Sequence, residues 1–330
     1  MGPRFRVFGQ VVAAGSALAL ADQVARHLDL VRASGLLCLA SLATVVICAR
    51  LGWRQALLGV VGLALLTIPA ALSQGDPLLA VVVMMFTAFG LGLSARWQLQ
   101  QVYWLMVVSL VLLITNSPFS SLPNALDLVR LGVAVLISGT LAILLQIGLV
   151  PRDRAEVAPA LFPVAHSWRR SAAYGALLAT TTLVSTAIAL HQHWRVSGLW
   201  LILVPFLVLR PFVRDAWKVA LHRSLGTVAG VVLVVALAAA LPPGLPLQVP
   251  AILLGAVTAL IAIRHGHPAL MITALTATIV LFNSNSSDLI LMDDKRLEAN
   301  VLGVAIALAS MAIAQPIERW FLLRREPEVG

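Results

Sequence analysis

Charged residues fall along this chain in widely spaced clusters, and between the clusters lie long stretches with no charge at all. A charge is costly at the centre of a lipid bilayer, so such stretches mark candidate membrane-spanning helices. In the first half they cover 7–21, 33–49, 55–75, 77–95, 97–126 and 131–151, and in the second 171–194, 196–209, 224–263, 265–287 and 299–317. A crossing takes about 20 residues. The stretch 224–263 is far longer, and Pro242-Pro243-Gly244-Leu245-Pro246 near its middle is a turn signal that divides it. The pattern therefore predicts twelve helices. Transmembrane strands would alternate apolar and polar positions, and these stretches do not.

Composition narrows the class. Hydrophobic residues make up 60% of the 330 and charged ones only 11%, where a soluble domain carries about 25% charged residues. So little charge cannot cover a globule of this size, which excludes a soluble enzyme, a disordered chain and a coiled coil. Cys38 and Cys48 fall in one apolar segment and form no disulfide framework. The net charge of +9 points to topology rather than to nucleic acid, because the basic groups are scattered and form no patch that could track phosphates. With the N-terminus in the cytoplasm, only Arg26, Arg32, Arg130, Arg195, Lys295 and Arg296 of the 23 basic residues lie outside. That asymmetry predicts a multi-pass inner-membrane protein, embedded in the lipid bilayer, with both termini cytoplasmic. Arg4 and Arg6, followed by an uncharged stretch ending in Ala19-Leu20-Ala21, also fit a signal peptide; we read this segment as the first membrane helix.

The two halves resemble each other. Asp127-Leu128-Val129-Arg130-Leu131 leads the sixth span and Asp293-Asp294-Lys295-Arg296-Leu297 the twelfth. Asn116-Ser117 closes the fifth, and Asn283-Ser284 stands near the end of the eleventh. Arg54 with Gly59 and Gly62 opens the third, Arg223 with Gly226 and Gly230 the ninth. The expected organisation is a first six-helix repeat over 1–151, a cytoplasmic linker over 152–168, a second repeat over 169–320 and a tail over 321–330. Six being even, the repeats share one orientation. The fold class is all-α: a polytopic transmembrane bundle of two parallel six-helix repeats, an arrangement transporters use with the substrate site between the repeats.

The second span of each repeat is short, lying between Arg32 and Arg50 in one half and between Arg195 and Arg210 in the other. Pro205 inside the latter frees a backbone carbonyl. Short or proline-interrupted spans at matching positions point to a transport site. The alternative is a helix that snorkels its flanking arginines and thins the bilayer locally.

The most specific stretch is Trp200-Leu201-Ile202-Leu203-Val204-Pro205, followed by Arg223-Ser224-Leu225-Gly226-Thr227-Val228-Ala229-Gly230. A tryptophan-led short span and then Arg-x-x-Gly-Thr-x-x-x-Gly resembles the signature of the fusaric-acid-resistance (FUSC) family. Aromatic acid exporters and plant aluminium-activated malate transporters are similar in this region. Arg296 with Gly303 resembles the arginine-led last helix of the same module. The resemblance extends over about 170–317, and over the first half it rests mainly on the internal repeat. It implies efflux of organic anions, aromatic or hydroxylated carboxylic acids. A passive anion channel and a non-transporting membrane assembly subunit are the alternatives.

Eight residues are candidates for substrate contact. Arg223, expected at the cytoplasmic end of the ninth helix, could grip a carboxylate with its guanidinium fork. Thr227 beside it could donate to an anion or cap a carbonyl. Gly226, four residues before Gly230, fits close helix packing better than substrate contact. Trp200 gains interest from the resemblance, although tryptophans also anchor at interfaces. Arg130 and Arg296 stand where the topology rule gives them no reason to be. They pair locally with Asp127 and Asp293, or form an outer ring that attracts anions. Asn116 and Asn283 either end helices or bond substrate. The pairs His191/His193 and His265/His267 lack a third ligand, so no metal and no cofactor are implied. There is no nucleotide-binding motif and no catalytic constellation. The partner implied is a small organic anion, and whether the chain forms a homo-oligomer is left open.

Overall fold

The structure, a computed structural model, describes residues 3–150, 167–192, 195–209, 216–240, 247–264, 266–283 and 293–321. Among them are twelve α-helices, a few short 3-10 turns and no strand. The first half contains α1 (Pro3–His27), α2 (Ser34–Leu51), α3 (Trp53–Leu72), α4 (Pro77–Leu93), α5 (Gln100–Thr115) and α6 (Ala125–Leu149). The second contains α7 (Trp168–His191), α8 (Arg195–Val208), α9 (Ala216–Ala240), α10 (Gln248–Ile263), α11 (Pro268–Asn283) and α12 (Asp293–Phe321). The expected break at Pro242–Pro246 falls between α9 and α10. Those prolines, and nearly all of the expected linker, lie outside the described residues.

Local chemistry sets the helix ends. Asp76 caps α4, its Oδ1 accepting from the backbone N–H of Leu78 and Leu79 at 2.9 and 3.3 Å, with Pro77 in the first helical position. Asn124 and Asp127 form a reciprocal capping box at the start of α6. Gly52, at φ 103°, is the sole residue between α2 and α3, a conformation that favours glycine. Asn116 directly follows the last residue of α5, its backbone N–H donating to the Leu112 carbonyl at 2.8 Å.

Four helices form the centre. α2 is buried at every position from Ser34 to Cys48, α5 from Trp104 to Ile114, α8 from Ser197 to Phe206, and α11 from Ala274 to Leu281. Helices buried at every one of these positions are surrounded by other protein rather than by lipid. The other eight helices enclose this core and turn apolar side chains outward, such as Leu57, Leu58, Val61 and Leu65 of α3 and Leu221, Leu225, Val228 and Val232 of α9. On a soluble surface such stripes would promote aggregation; against lipid they are the required covering. Phe5–His27, Val31–Leu51, Trp53–Gly75, Pro77–Trp97, Ala125–Leu149 and Trp168–His191 are long and apolar enough to cross a bilayer individually, and six further apolar helices are shorter.

This arrangement bears on the bilayer-thinning reading of the short second spans. They are the central helices α2 and α8, packed against α5, α6, α7 and α12 rather than lipid. The 14 residues of α8 rise only about 21 Å. A helix enclosed by protein need not match the bilayer thickness, so the bilayer-thinning explanation is unnecessary.

Among the described residues four contacts between the halves form two reciprocal pairs, while that of α10 on α2 has no comparable counterpart between α4 and α8. α4 packs on α7 and α10 on α1; α5 packs on α8 and α11 on α2. Exchanging the first six helices for the last six maps each member of a pair onto the other, as a two-fold relation requires.

α1 differs from its expected extent. It continues through Ala19-Leu20-Ala21 to His27 and packs on α2, α6 and α10, with Ala14, Ala17, Leu18, Ala21 and Ala25 buried. Asp22, placed by sequence at a span edge, is thus a buried residue within a helix.

Candidate functional site

Arg223 lies about two turns inside α9, not at its end. Its exposure is 1%, and its side chain is the largest fully buried one among the described residues. A span drawn between charges cannot place a charge inside it, which is why the sequence put this residue at the mouth. Nε and Nη2 have no hydrogen-bond partner among the described residues. A buried guanidinium without an anion is unfavourable, since water's stabilisation of the charge is lost and nothing replaces it. Thr227, one turn further along the same face, is also buried, and its Oγ1 likewise has no partner among the described residues.

Gly226 and Gly230 complete this face and bring α11 close. A Cβ on Gly226 would stand 2.7 Å from the Ala269 carbonyl oxygen. One on Gly230 would stand 2.8 Å from the Thr273 carbonyl oxygen and 2.7 Å from Thr276 Cβ. Both glycines therefore serve helix packing, and Gly226 is not free to face a substrate.

Trp200 is buried in α8 at 3% exposure, not at an interface, and its indole N–H has no partner among the described residues. No ring contact or hydrogen bond joins it to Arg223 among these residues. Pro205 removes the N–H that would bond the Leu201 carbonyl. Gly303 of α12 sits beside that carbonyl, where a Cβ would be 3.3 Å from the oxygen and 2.7 Å from Val204 Cγ2. Tyr174 of α7 donates its hydroxyl to the Leu209 carbonyl at 2.9 Å, anchoring the end of α8. Thr182, Ser185 and Thr186 of α7 are buried on one face, with hydroxyls unpartnered among the described residues. Their i, i+3, i+4 spacing was the only sequence sign of this polar face.

A second charged region lies at another place in the fold. The turn from α1 into α2 and the connection from α5 to α6 enclose an open cleft of about 410 Å³, whose lining includes Asp29, Arg32, Phe119, Ser120, Asp127 and Arg130. Arg130 makes no ion pair with Asp127. The Asp127 carboxylate instead accepts from the Asn124 backbone N–H at 3.1 Å within the capping box. Arg32, which the sequence offered only as a topology exception, shares the cleft with Arg130. Asn116 stands at the end of α5, where its backbone closes the helix. Arg296 and Asn283 belong to α12 and α11, but their side chains lie outside the described residues.

Among the described residues no group of three His, Cys, Asp or Glu could hold a metal ion. The His222 and His267 rings meet edge to face with centroids 4.9 Å apart, and the His267 Nδ1 accepts from the Ala269 backbone N–H. His193 and His265 lie outside the described residues. Arg96 places its guanidinium 5.9 Å from the Trp97 ring and 5.7 Å from that of Trp168, linking the end of α4 to the start of α7.

An all-helical bundle with a buried centre and an apolar periphery is a multi-pass membrane protein. Residues 176–310 match the family described as fusaric acid resistance protein-like, a family of membrane transporters. The match runs from α7 into α12, so the resemblance carried by Trp200–Pro205 and Arg223–Gly230 holds across the second half. No curated protein and no solved structure matches the chain.

Proposed function

We propose that the protein exports organic carboxylic acids, aromatic or hydroxylated, across the cell's inner membrane, with both termini in the cytoplasm. The observation behind this reading is Arg223, fully buried, with Nε and Nη2 lacking partners among the described residues. A carboxylate is the group that would satisfy it, by a bidentate, charge-assisted pair of hydrogen bonds. The Thr227 hydroxyl one turn away offers a further donor, and Trp200 is the aromatic candidate in α8. Arg32 and Arg130 would raise the local concentration of anions at their cleft, with Arg296 in the equivalent role in the second half. The positive-inside distribution of Lys and Arg supports the orientation.

The test is flux from proteoliposomes loaded with a panel of aromatic and aliphatic carboxylates, with and without a pH gradient. Saturable flux that is lost in Arg223→Gln, with insertion intact, supports the reading. Flux that follows the anion gradient and ignores pH would identify a passive channel. Silence from folded protein across the panel would favour a membrane assembly subunit.

A further inference from the structure

The two repeats are put together differently. In the first, α2 packs on α5 and α3 packs broadly on α6, so the six helices form one body. In the second, α8 has no comparable contact with α11 among the described residues, and α9 meets α8 and α12 only narrowly. The second repeat is therefore two groups of three, one of α7, α8 and α12 and the other of α9, α10 and α11. Each rests on the first repeat separately. α7 docks on α4 and α8 on α5, while α10 docks on α1 and α2 and α11 on α2.

Close glycine contacts hold each group. Gly303 brings α12 against Val204 of α8, and Gly226 and Gly230 bring α9 against the Ala269 and Thr273 carbonyls of α11. Inside a membrane, close approach of this kind is what keeps helices together. Across the seam between the groups such approach is sparse, so the seam is the weak joint of the second repeat.

Arg223 and Thr227 face that seam. On α9, Gly226 and Gly230 meet α11, while Leu225 and Val228 are exposed. Arg223 and Thr227 are buried on the side between, four residues apart, and the helices left to enclose them are α8 and α12. Trp200 stands eight residues before the end of α8, and Arg223 seven after the start of α9. Those offsets are about 12 and about 10 Å. In consecutive helices of opposite direction that pack on each other, they are similar depths.

We infer that the carboxylate binds inside the second repeat, in the seam between α8 and α12 on one side and α9 and α11 on the other, and not between the repeats. The Arg223 fork holds the carboxylate, the Thr227 hydroxyl donates to it, and the remainder of the acid extends toward α8. Arg223 is 1% exposed, so the anion enters when the two groups part. That movement leaves the glycine contacts within each group intact, with the first repeat as the fixed frame. The placement deepens the export reading and rests on it for the identity of the ligand.

The experiment uses the full-length protein in liposomes and an anionic methanethiosulfonate, which labels a cysteine only where an anion reaches it. Wild type, with Cys38 and Cys48 both buried, supplies the background. Thr227→Cys should label, and benzoate should slow the labelling several-fold. Val234→Cys, two turns further along the same buried face, is a second reporter and should behave alike. Adding Arg223→Gln to either reporter should remove the protection by benzoate. Ser109→Cys, buried in the central helix α5 that joins the first repeat to α8, should stay at background. No labelling at either reporter, labelling that benzoate does not slow, or protected labelling at Ser109→Cys would each overturn the inference. Protection without benzoate flux would leave the site standing and refute export; flux without protection would do the reverse.

Discussion

Gly92 of α4 and Gly175 of α7 meet with no side chain between them: a Cβ on Gly92 would overlap the Cα of Gly175. The pair lies in the contact between α4 and α7, the broadest between the two halves among the described residues. Apolar side chains gain little by leaving lipid for a protein interface, so helices inside a membrane associate through close packing, which small residues permit.

Gly92→Ala should therefore destabilise the fold by about 1–3 kcal/mol, since the obstructing atoms are backbone and cannot rotate away. Gly175→Ala should cost less, because its Cβ would stand 3.0 Å from the Phe89 carbonyl oxygen rather than on top of an atom. Gly90→Ala, with nothing within 4 Å of its Cβ, is the control and should be neutral or slightly stabilising. Thermal unfolding in mild detergent checks the order Gly92, Gly175, Gly90; equal effects at all three would refute close packing as the basis of the contact.

Arg223 gives the opposite relation between stability and function. Replacing a buried charge that has no partner for Nε and Nη2 among the described residues by an apolar side chain of similar volume should leave stability unchanged or raise it by roughly 1–4 kcal/mol. Arg223→Met is thus expected to melt no lower than wild type while losing carboxylate flux at least about tenfold, the loss of a strong charge-assisted contact. Arg223→Lys keeps the charge without the fork and should raise KM more than it lowers the maximal rate. A sharp drop in melting temperature for Arg223→Met would show that the guanidinium holds the fold instead.

The helix number, the division of 224–263 and the special place of the second spans were legible in the sequence, because bilayer solvation acts on whole segments. The depth of individual charges was not legible. Spans bounded by charges place Asp22 and Arg223 at edges by construction, although the i, i+4 spacing of Asp22 and Arg26 signalled a helix that continues. Trp200 was ambiguous for a related reason: a tryptophan near a span end fits an interface or a core equally well until its neighbours are known. Gly92 and Gly175 carry no pattern of their own, since their meaning lies in a contact between α4 and α7.

Thr227 separates ligand binding from packing. Its Oγ1 is buried and unpartnered among the described residues, so Thr227→Val removes a hydroxyl that stabilises nothing visible within the protein and keeps the shape. Stability should hold or rise by up to about 1 kcal/mol, as expected when an unsatisfied buried polar group is removed. If the hydroxyl donates to the transported carboxylate, KM should rise several-fold in the same variant. An unchanged KM would remove Thr227 from the anion path.

The cleft predicts a dependence on ionic strength. Arg32 and Arg130 are both exposed, so their attraction for an anion operates through solvent and weakens as the Debye length falls from about 10 Å at 0.1 M salt to about 3 Å at 1 M. In wild type, kcat/KM for a monocarboxylate should fall as salt rises. Arg32→Gln and Arg130→Gln should each lower kcat/KM at low salt and flatten the dependence, and the double variant should nearly abolish it. Arg223→Lys, whose charge is buried, should retain the wild-type salt slope despite its reduced transport. That contrast assigns anion attraction to the cleft and anion binding to the interior. It fails if the slope follows Arg223 instead of the two cleft arginines.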